Sequence, residues 1–366
     1  MPTPIGLANL GNTCYLNSCI QLLLQIPELA QLNSINNIPA TCLIDEWREL
    51  YRNIENSSNT GGRAFISPSR FVQAVRGVSA HSGNKQFAGF GQNDASEFLY
   101  FLLNHWHDAC KRPVRMQING TQIATTDKDK LAIACYEKLK QTYEKEYSEI
   151  MHLFFGISVF FSNSGQPSGE KLQSPDCQGV PDLFSLLNLP LIPNQTEERS
   201  VLTCLRAQCV RFWSLPKYLF IVLGRFCNDY TKKDTSEINV PAHLDMSEFM
   251  CSYNPQKYKY DLKGIVIHLG SIHGGHYVSV VRNLRFLDGT SLGSAETSQE
   301  TVHLPSTSTG REFDKRPTYP GGMVFDNHWY SCNDTTVVEE TNFIEQKLNH
   351  PIVKHNAYVL FYEHKI

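Results

Sequence analysis

Through its first 150 residues the chain spaces its apolar side chains three and four apart; after Met151 it gathers them into short, dense runs. Leu16, Ile20, Leu23 and Leu24 follow the i, i+4, i+7, i+8 spacing of an amphipathic helix. Trp47, Leu50, Tyr51 and Ile54 predict a second helix from about Asp45. A third follows Ser67-Pro68, a capping residue and a proline suited to a first turn. Phe98, Phe101, Leu102 and Trp106 mark a fourth, and a fifth, rich in Lys and Glu, runs from about Asp127 to Met151. Beyond it come β-branched and aromatic runs at 157–161, 218–223, 263–268, 277–281 and 358–362, each bounded by Gly, Pro, Asn or Asp as strands are. Helices first and strands later predict an α+β architecture, not a doubly wound sheet. From Asp288 to about Gly310 the chain is mostly Ser, Thr, Gly and Glu. That composition predicts a flexible loop between two strands, with a phosphorylatable regulatory insert as the alternative. There is no internal repeat.

Composition narrows the class without naming a chemistry. The 366 residues are 41% hydrophobic and 19% charged, with 33 basic against 36 acidic side chains, so neither a nucleic-acid nor an anionic-membrane partner is expected. No apolar run approaches the roughly 20 residues a spanning helix needs, and the N-terminus is not of signal-peptide type. Eleven cysteines, an odd number, read as reduced thiols rather than a disulfide framework, which predicts a cytoplasmic or nuclear protein.

Candidate chemistry begins at Asn9-Leu-Gly-Asn-Thr-Cys14-Tyr-Leu-Asn-Ser. A thiol works as a nucleophile only when ionised, and a helix N-terminus favours its negative charge. Cys14 stands where the first amphipathic pattern starts, after a Gly-Asn pair suited to a sharp turn. Its own amide and the side-chain amide of Asn9 supply donors for an oxyanion. The plainer reading is a small apolar residue at a helix start.

Of thirteen histidines, His276 stands out in Gly274-Gly275-His276-Tyr277. It opens a predicted strand beside backbone that a substrate chain can approach closely. A metal site of His268, His273 and His276 lacks the helical pairing of a zinc peptidase and is set aside. An amide or carboxylate to hold the imidazole is available in Trp329-Tyr-Ser-Cys-Asn333-Asp334, where two adjacent strand residues face opposite ways and only one reaches the ring.

Together these segments resemble the ubiquitin-specific protease family, from residue 5 to residue 362. Residues 6–18 are similar to its cysteine box; Gly274 to Val278, Trp329 to Val337 and Asn356 to Tyr362 to its histidine box; Gln92-Asn-Asp94-Ala-Ser-Glu97-Phe-Leu to its acidic helix-start motif, with Asn93 where Gln is more usual; and Leu215-Pro216 with Ile221 to Phe226 to its central strand. The resemblance implies a papain-like α+β fold in one catalytic domain, 1–366. It divides into a helical thumb at about 5–152, fingers and palm strands at about 153–240, and a palm with the histidine box at about 241–366, carrying a flexible insert at about 284–320.

The resemblance also implies a deubiquitinating cysteine isopeptidase. Cys14 is its nucleophile, His276 its base, Asn333 the residue orienting His276, Asn9 the oxyanion donor and Asp334 a neighbour sharing the polarising role. Asp94, Glu97, Gln92 and Tyr277 would hold the ubiquitin tail, and Gly274 and Gly275 would line a channel passing only glycine; helix capping is the structural alternative for Asp94 and Glu97. Ubiquitin and ubiquitinated proteins are the expected partners of a monomer, with an activating protein as a further one, and no cofactor is expected. Many relatives bind zinc through two Cys-x-x-Cys pairs. Here the first pair is missing around Phe161 to Gly165 and the second is stretched to Cys204 and Cys209, so a metal-free fingers region is expected unless Cys177 and Cys227 complete a site. Asp245 to Tyr260 resembles a loop that overhangs the tail channel in relatives. Two rival readings are a protease for a ubiquitin-like modifier and a ubiquitin-binding module without activity.

Overall fold

The computed structural model describes residues 3–30, 32, 42–60, 64–82, 85–118, 123–161, 179–191, 199–208, 210–226, 232–286 and 325–365. The helices are α1 (Cys14–Leu23), α2 (Pro27–Ala30), α3 (Cys42–Thr60), α4 (Ser69–His81), α5 (Ala95–Cys110), α6 (Asp127–Glu146), α7 (Glu149–Phe154), α8 (Val201–Arg206) and α9 (Pro351–Asn356). The strands are β1 (Gly6–Leu7), β2 (Phe65–Ile66), β3 (Gly156–Phe161), β4 (Gly179–Phe184), β5 (Leu186–Pro190), β6 (Val210–Ser214), β7 (Tyr218–Gly224), β8 (His243–Asp245), β9 (Lys259–Ser271), β10 (Gly274–Phe286), β11 (Phe325–Asn333), β12 (Thr336–Glu340) and β13 (Ala357–His364). Helices dominate up to residue 154 and strands thereafter, the α+β order expected from the pattern.

Among the described residues the main sheet runs β12-β11-β10-β9-β13-β7-β5, with β8 on the start of β9. Only the β5–β7 pair in it is parallel. Its central strands read as continuous apolar runs because both faces are covered. Along β7, Tyr218, Phe220 and Val222 face a core shared with α1, α3, α4 and α5. Leu219, Ile221 and Leu223 face a second core on the other side of the sheet. A separate three-stranded sheet, β4-β3-β6, packs Ile157, Val159 and Trp213 against Ala132 and Cys135 of α6.

Local chemistry corrects three boundaries. The predicted fifth helix is two helices: the Arg112 amide donates to the Tyr147 carbonyl at 2.9 Å, and Ser148 turns extended and caps α7 through its hydroxyl. A serine prefers that capping position to a helix interior. The third helix starts one residue later than its signal, since Pro68 takes the cap position and α4 begins at Ser69. At the third boundary, β10 continues to Phe286, opposite Phe325, past the start of about 284 expected for the insert. The Asp288 to Gly310 stretch lies outside the described residues.

A fully buried arginine ties the end of β7 to the start of β13, to α9 and to residues 234–236. Arg225, 0% exposed, donates to the carbonyls of Ala357, Asp234, Ser236 and Lys354. Among the described residues no carboxylate shares its hydrogen bonds, and burial pushes its guanidinium down to about 10. Arg225→Met keeps most of the volume but strands four carbonyls. We expect a loss of about 3 kcal/mol and a fall in Tm of roughly 8 °C, measured by calorimetry. An unchanged Tm would mean that those carbonyls find other donors.

Candidate active site

The turn into α1 is built from residue types that tolerate positive φ. Gly11 (φ 88°) and Asn12 (φ 56°) are both left-handed, a conformation that glycine adopts freely and asparagine more readily than most. The Leu10 amide donates to Thr13 Oγ1 at 2.9 Å, and the Thr13 amide to Asn9 Oδ1 at 3.1 Å. The reversal leaves Cys14 as the first residue of α1 and buried. Burial pushes the thiol pKa up and the nearby Asp334 charge adds to that, while the Tyr277 amide and those of Tyr15 and Cys14 pull it down. The helix start therefore does not by itself ionise this thiol.

The amide of Tyr277 faces the Cys14 sulfur, so the residue after His276 lies against the start of α1. His276 Nε2 is 2.6 Å from Asn333 Oδ1. A carbonyl oxygen only accepts, so Nε2 carries the proton there and Nδ1 keeps its lone pair.

Asp334 turns away from the strand. Its φ is 47°, and its Oδ2 lies 3.9 Å from His276 Nε2, outside hydrogen-bond reach. Instead it gathers the segment around Cys14. Oδ1 accepts from Asn17 Nδ2 at 2.7 Å, Oδ2 from Asn9 Nδ2 at 2.9 Å, and its carbonyl from the Leu7 amide at 2.7 Å. The next peptide passes so close to β1 that a Cβ on Gly6 would lie 2.2 Å from the Thr335 carbonyl oxygen. Asn9 is held at both ends of its amide, with one N–H left for an oxyanion.

A cleft runs from Cys14 between the start of α5 and the tip of the β9–β10 hairpin. Gln92, Glu97, Gly274, Gly275, Tyr277 and Tyr358 are in its wall, and it ends against Asn188 to Pro190 and Val222 to Gly224. Asp94 caps α5, its Oδ1 accepting from the amides of Ser96 and Glu97 and from Ser96 Oγ. Its Oδ2 accepts from the hydroxyls of Tyr277 (3.2 Å) and Tyr358 (2.7 Å). Those five donors saturate the acceptor capacity of the carboxylate, so the capping alternative is realised and Asp94 joins α5 to β10 and β13. Glu97 is exposed, with the Gln86 amide on its carboxylate.

His268 is 4% exposed, between Phe226 and Tyr277. Burial, with Lys233 nearby, pushes its pKa down to about 4, and a Cβ on Gly275 would lie 2.3 Å from its Nε2. Lys233 Nζ donates to the carbonyls of His268 and Gly270 and to Asn356 Oδ1, and burial lowers its pKa to about 8. His273 lies in the exposed hairpin turn. No group of His, Cys, Asp and Glu fit to hold a metal occurs among the described residues. Cys204 is buried on α8, whereas Cys177, Cys209 and Cys227 lie outside those residues.

The 245–260 stretch contributes nothing to the cleft wall. It packs on β6 and α6, with the Cys251 amide donating to the Phe212 carbonyl and the Tyr253 hydroxyl to Asp129 Oδ1. These bonds latch the stretch to the smaller sheet. Sequence reasoning also missed Asn17 and Tyr358 as parts of the site. Asn17 carried one signal, a polar side chain in a helix whose ten residues are all buried.

Comparison with known proteins gives the family. The chain is 28% identical over 319 residues to ubiquitin carboxyl-terminal hydrolase 2 of Bos taurus, covering 76% of this chain and 49% of that protein. It is 26% identical over 288 residues to the inactive ubiquitin carboxyl-terminal hydrolase 17-like protein 8 of Homo sapiens, with the same coverage of each. The chain thus spans about half the length of these relatives. Its fold matches a solved SAGA DUB module of Ubp8, Sgf11, Sus1 and Sgf73 bound to monoubiquitin, with a TM-score of 0.62 over 100% of this chain and 71% of that one, at 16% identity. That likeness concerns the fold, which is α+β and papain-like. The family model for ubiquitin carboxyl-terminal hydrolase matches residues 5–362, and the chain belongs to that family.

Proposed function

We propose that the protein is a deubiquitinating cysteine isopeptidase that cleaves after the C-terminal glycine of ubiquitin. The observation that carries this reading is a cleft lined by Cys14 and two glycines, with the amide of Tyr277, the residue after His276, turned to the Cys14 sulfur, His276 bonded to Asn333 and Asn9 to Asp334. His276 Nδ1 takes the Cys14 proton, and the sulfur attacks the glycine carbonyl. The Cys14 amide and the remaining Asn9 N–H receive the oxyanion. Collapse expels the amine with the proton from His276 and leaves a thioester; water, deprotonated by the same imidazole, then releases ubiquitin.

Asn333 fixes the ring, and Asp334 acts through Asn9. Glu97 offers the direct carboxylate for a basic tail, while Asp94, already engaged, adds charge at longer range. In this reading the helices up to residue 154 are the thumb, the β4-β3-β6 sheet the fingers and the main sheet the palm. A cytoplasmic or nuclear site of action goes with it, resting on the thiol-rich sequence. A partner that activates the enzyme is the second reading, favoured by the raised pKa of the Cys14 thiol.

Ubiquitin carrying a C-terminal thiol-reactive warhead is expected to form one adduct, mapped to Cys14 by mass spectrometry and absent in Cys14→Ala. A folded protein that gives no adduct would point to the activating partner or to a ubiquitin-like modifier. Probes made from such modifiers separate those two.

A further inference from the structure

Alternate residues of an antiparallel strand turn their N–H and C=O away from the partner strand. On β10 the pairing with β11 starts only at Ser279, so the edge before it has no strand neighbour on that side among the described residues. Two residues present backbone groups there: Tyr277 turns its amide to the Cys14 sulfur, and Gly275 turns both its polar groups to Gln92. The Gly275 amide donates to Gln92 Oε1 at 3.2 Å, and Gln92 Nε2 donates to the Gly275 carbonyl at 3.3 Å. A primary amide bonded through both its groups to one residue of an open strand edge has the hydrogen-bonding pattern of a peptide unit of a neighbouring strand.

Gln92 reaches this edge from the opposite wall of the cleft, two residues before the cap of α5. Its Oε1 is also the nearest atom to a Cβ built on Gly274, at 3.2 Å, so it lies over both glycines. Gln92 is exposed, and both of its bonds lie at the long end of the usual range. The contact is one that an incoming extended chain can displace.

We propose that the Gln92 side chain is a placeholder for substrate: its amide occupies the position of a peptide unit of the ubiquitin C-terminal tail, and the tail binds by replacing it on Gly275. The proposal rests on the ubiquitin reading above. In the free enzyme the clasp satisfies the Gly275 backbone and holds the two walls together. Entry of the tail exchanges those bonds for bonds to the tail's own backbone, releasing Gln92. The exchange sets a threshold that a chain must exceed through its contacts elsewhere, which disfavours short peptides ending in glycine.

The test compares ubiquitin binding to Cys14→Ala and to Cys14→Ala/Gln92→Ala by calorimetry, with amide NMR on both. Removing the placeholder is expected to tighten ubiquitin about fivefold, the scale of one weak exposed bond no longer broken on binding. Gln92→Glu keeps the acceptor for the Gly275 amide and loses the donor, and is expected to fall between. In the Cys14→Ala protein, saturating ubiquitin should free the Gln92 NH2 signals while the Gly275 amide stays protected from exchange. Equal or weaker binding by the double variant would overturn the proposal and make Gln92 a bystander or an ordinary substrate ligand. Failure of both folded proteins to bind ubiquitin would remove the ubiquitin reading and the proposal with it.

Discussion

Asp334→Ala is expected to lower kcat about 100-fold with little change in KM, while making Cys14 easier to ionise. The carboxylate holds the amides of Asn9 and Asn17 and touches no substrate position. Its loss frees Asn9 from one end, and a misplaced oxyanion donor is worth roughly 10²–10³ in kcat. Alanine is also poor in the left-handed conformation that Asp334 adopts, by about 1 kcal/mol. The thiol moves the other way. The Asp334 charge is one cause of the raised Cys14 pKa, so removing it shifts the pH profile of Cys14 alkylation to lower pH. Asp334→Asn keeps the backbone tolerance and one acceptor and should lie between. Alkylation and turnover shifting in the same direction, or a kcat near that of the parent, would refute a role through Asn9.

Gly275→Ala is expected to lower kcat/KM at least 100-fold, whereas Gly274→Ala should act mainly on KM. A Cβ on Gly275 would meet His268 Nε2 at 2.3 Å and the Leu269 carbonyl oxygen at 2.6 Å. The imidazole is wedged between Phe226 and Tyr277, and the carbonyl belongs to the paired strand, so β10 itself must move. His276 is the next residue, and a shift of about 1 Å at a reacting group can cost 10²-fold. On Gly274 the nearest atom is the end of the Gln92 side chain, which can swing aside, leaving only a narrower channel. Steady-state kinetics on a fluorogenic ubiquitin substrate would separate the two. Near-parental turnover by Gly275→Ala would show that the hairpin yields without disturbing His276.

The helices and central strands were legible because their signals are local. Tyr218 to Leu223 is apolar throughout since the sheet is covered on both faces, and the α1 pattern needs only four residues. The candidate reacting groups stand out for a similar reason: Cys14 follows a Gly-Asn turn and His276 follows two glycines. The duties of Asp334 were not. They depend on a positive φ and on partners 317 and 325 residues away, and no window on the sequence contains both ends. Asp94 was readable as a cap, but not as the acceptor of two tyrosine hydroxyls supplied by β10 and β13. Weak strands escaped too, among them β4, where Pro181 and Asp182 interrupt a pattern completed only by pairing with β3.

The bonds from Asp334 to residues 7, 9 and 17 also fix an order of events on the ribosome. Cys14 is made 262 residues before His276, and Asp334, which sets the oxyanion turn, follows 58 residues later still. A growing chain therefore carries the Cys14 thiol without its base until residue 276 is added, and without a fixed turn until residue 334 is added. Contacts that distant in sequence also form slowly. On the proposed mechanism, cutting chemistry is thus withheld until residue 334 is in place, and any truncation before it should leave an inert polypeptide however well its helices have formed.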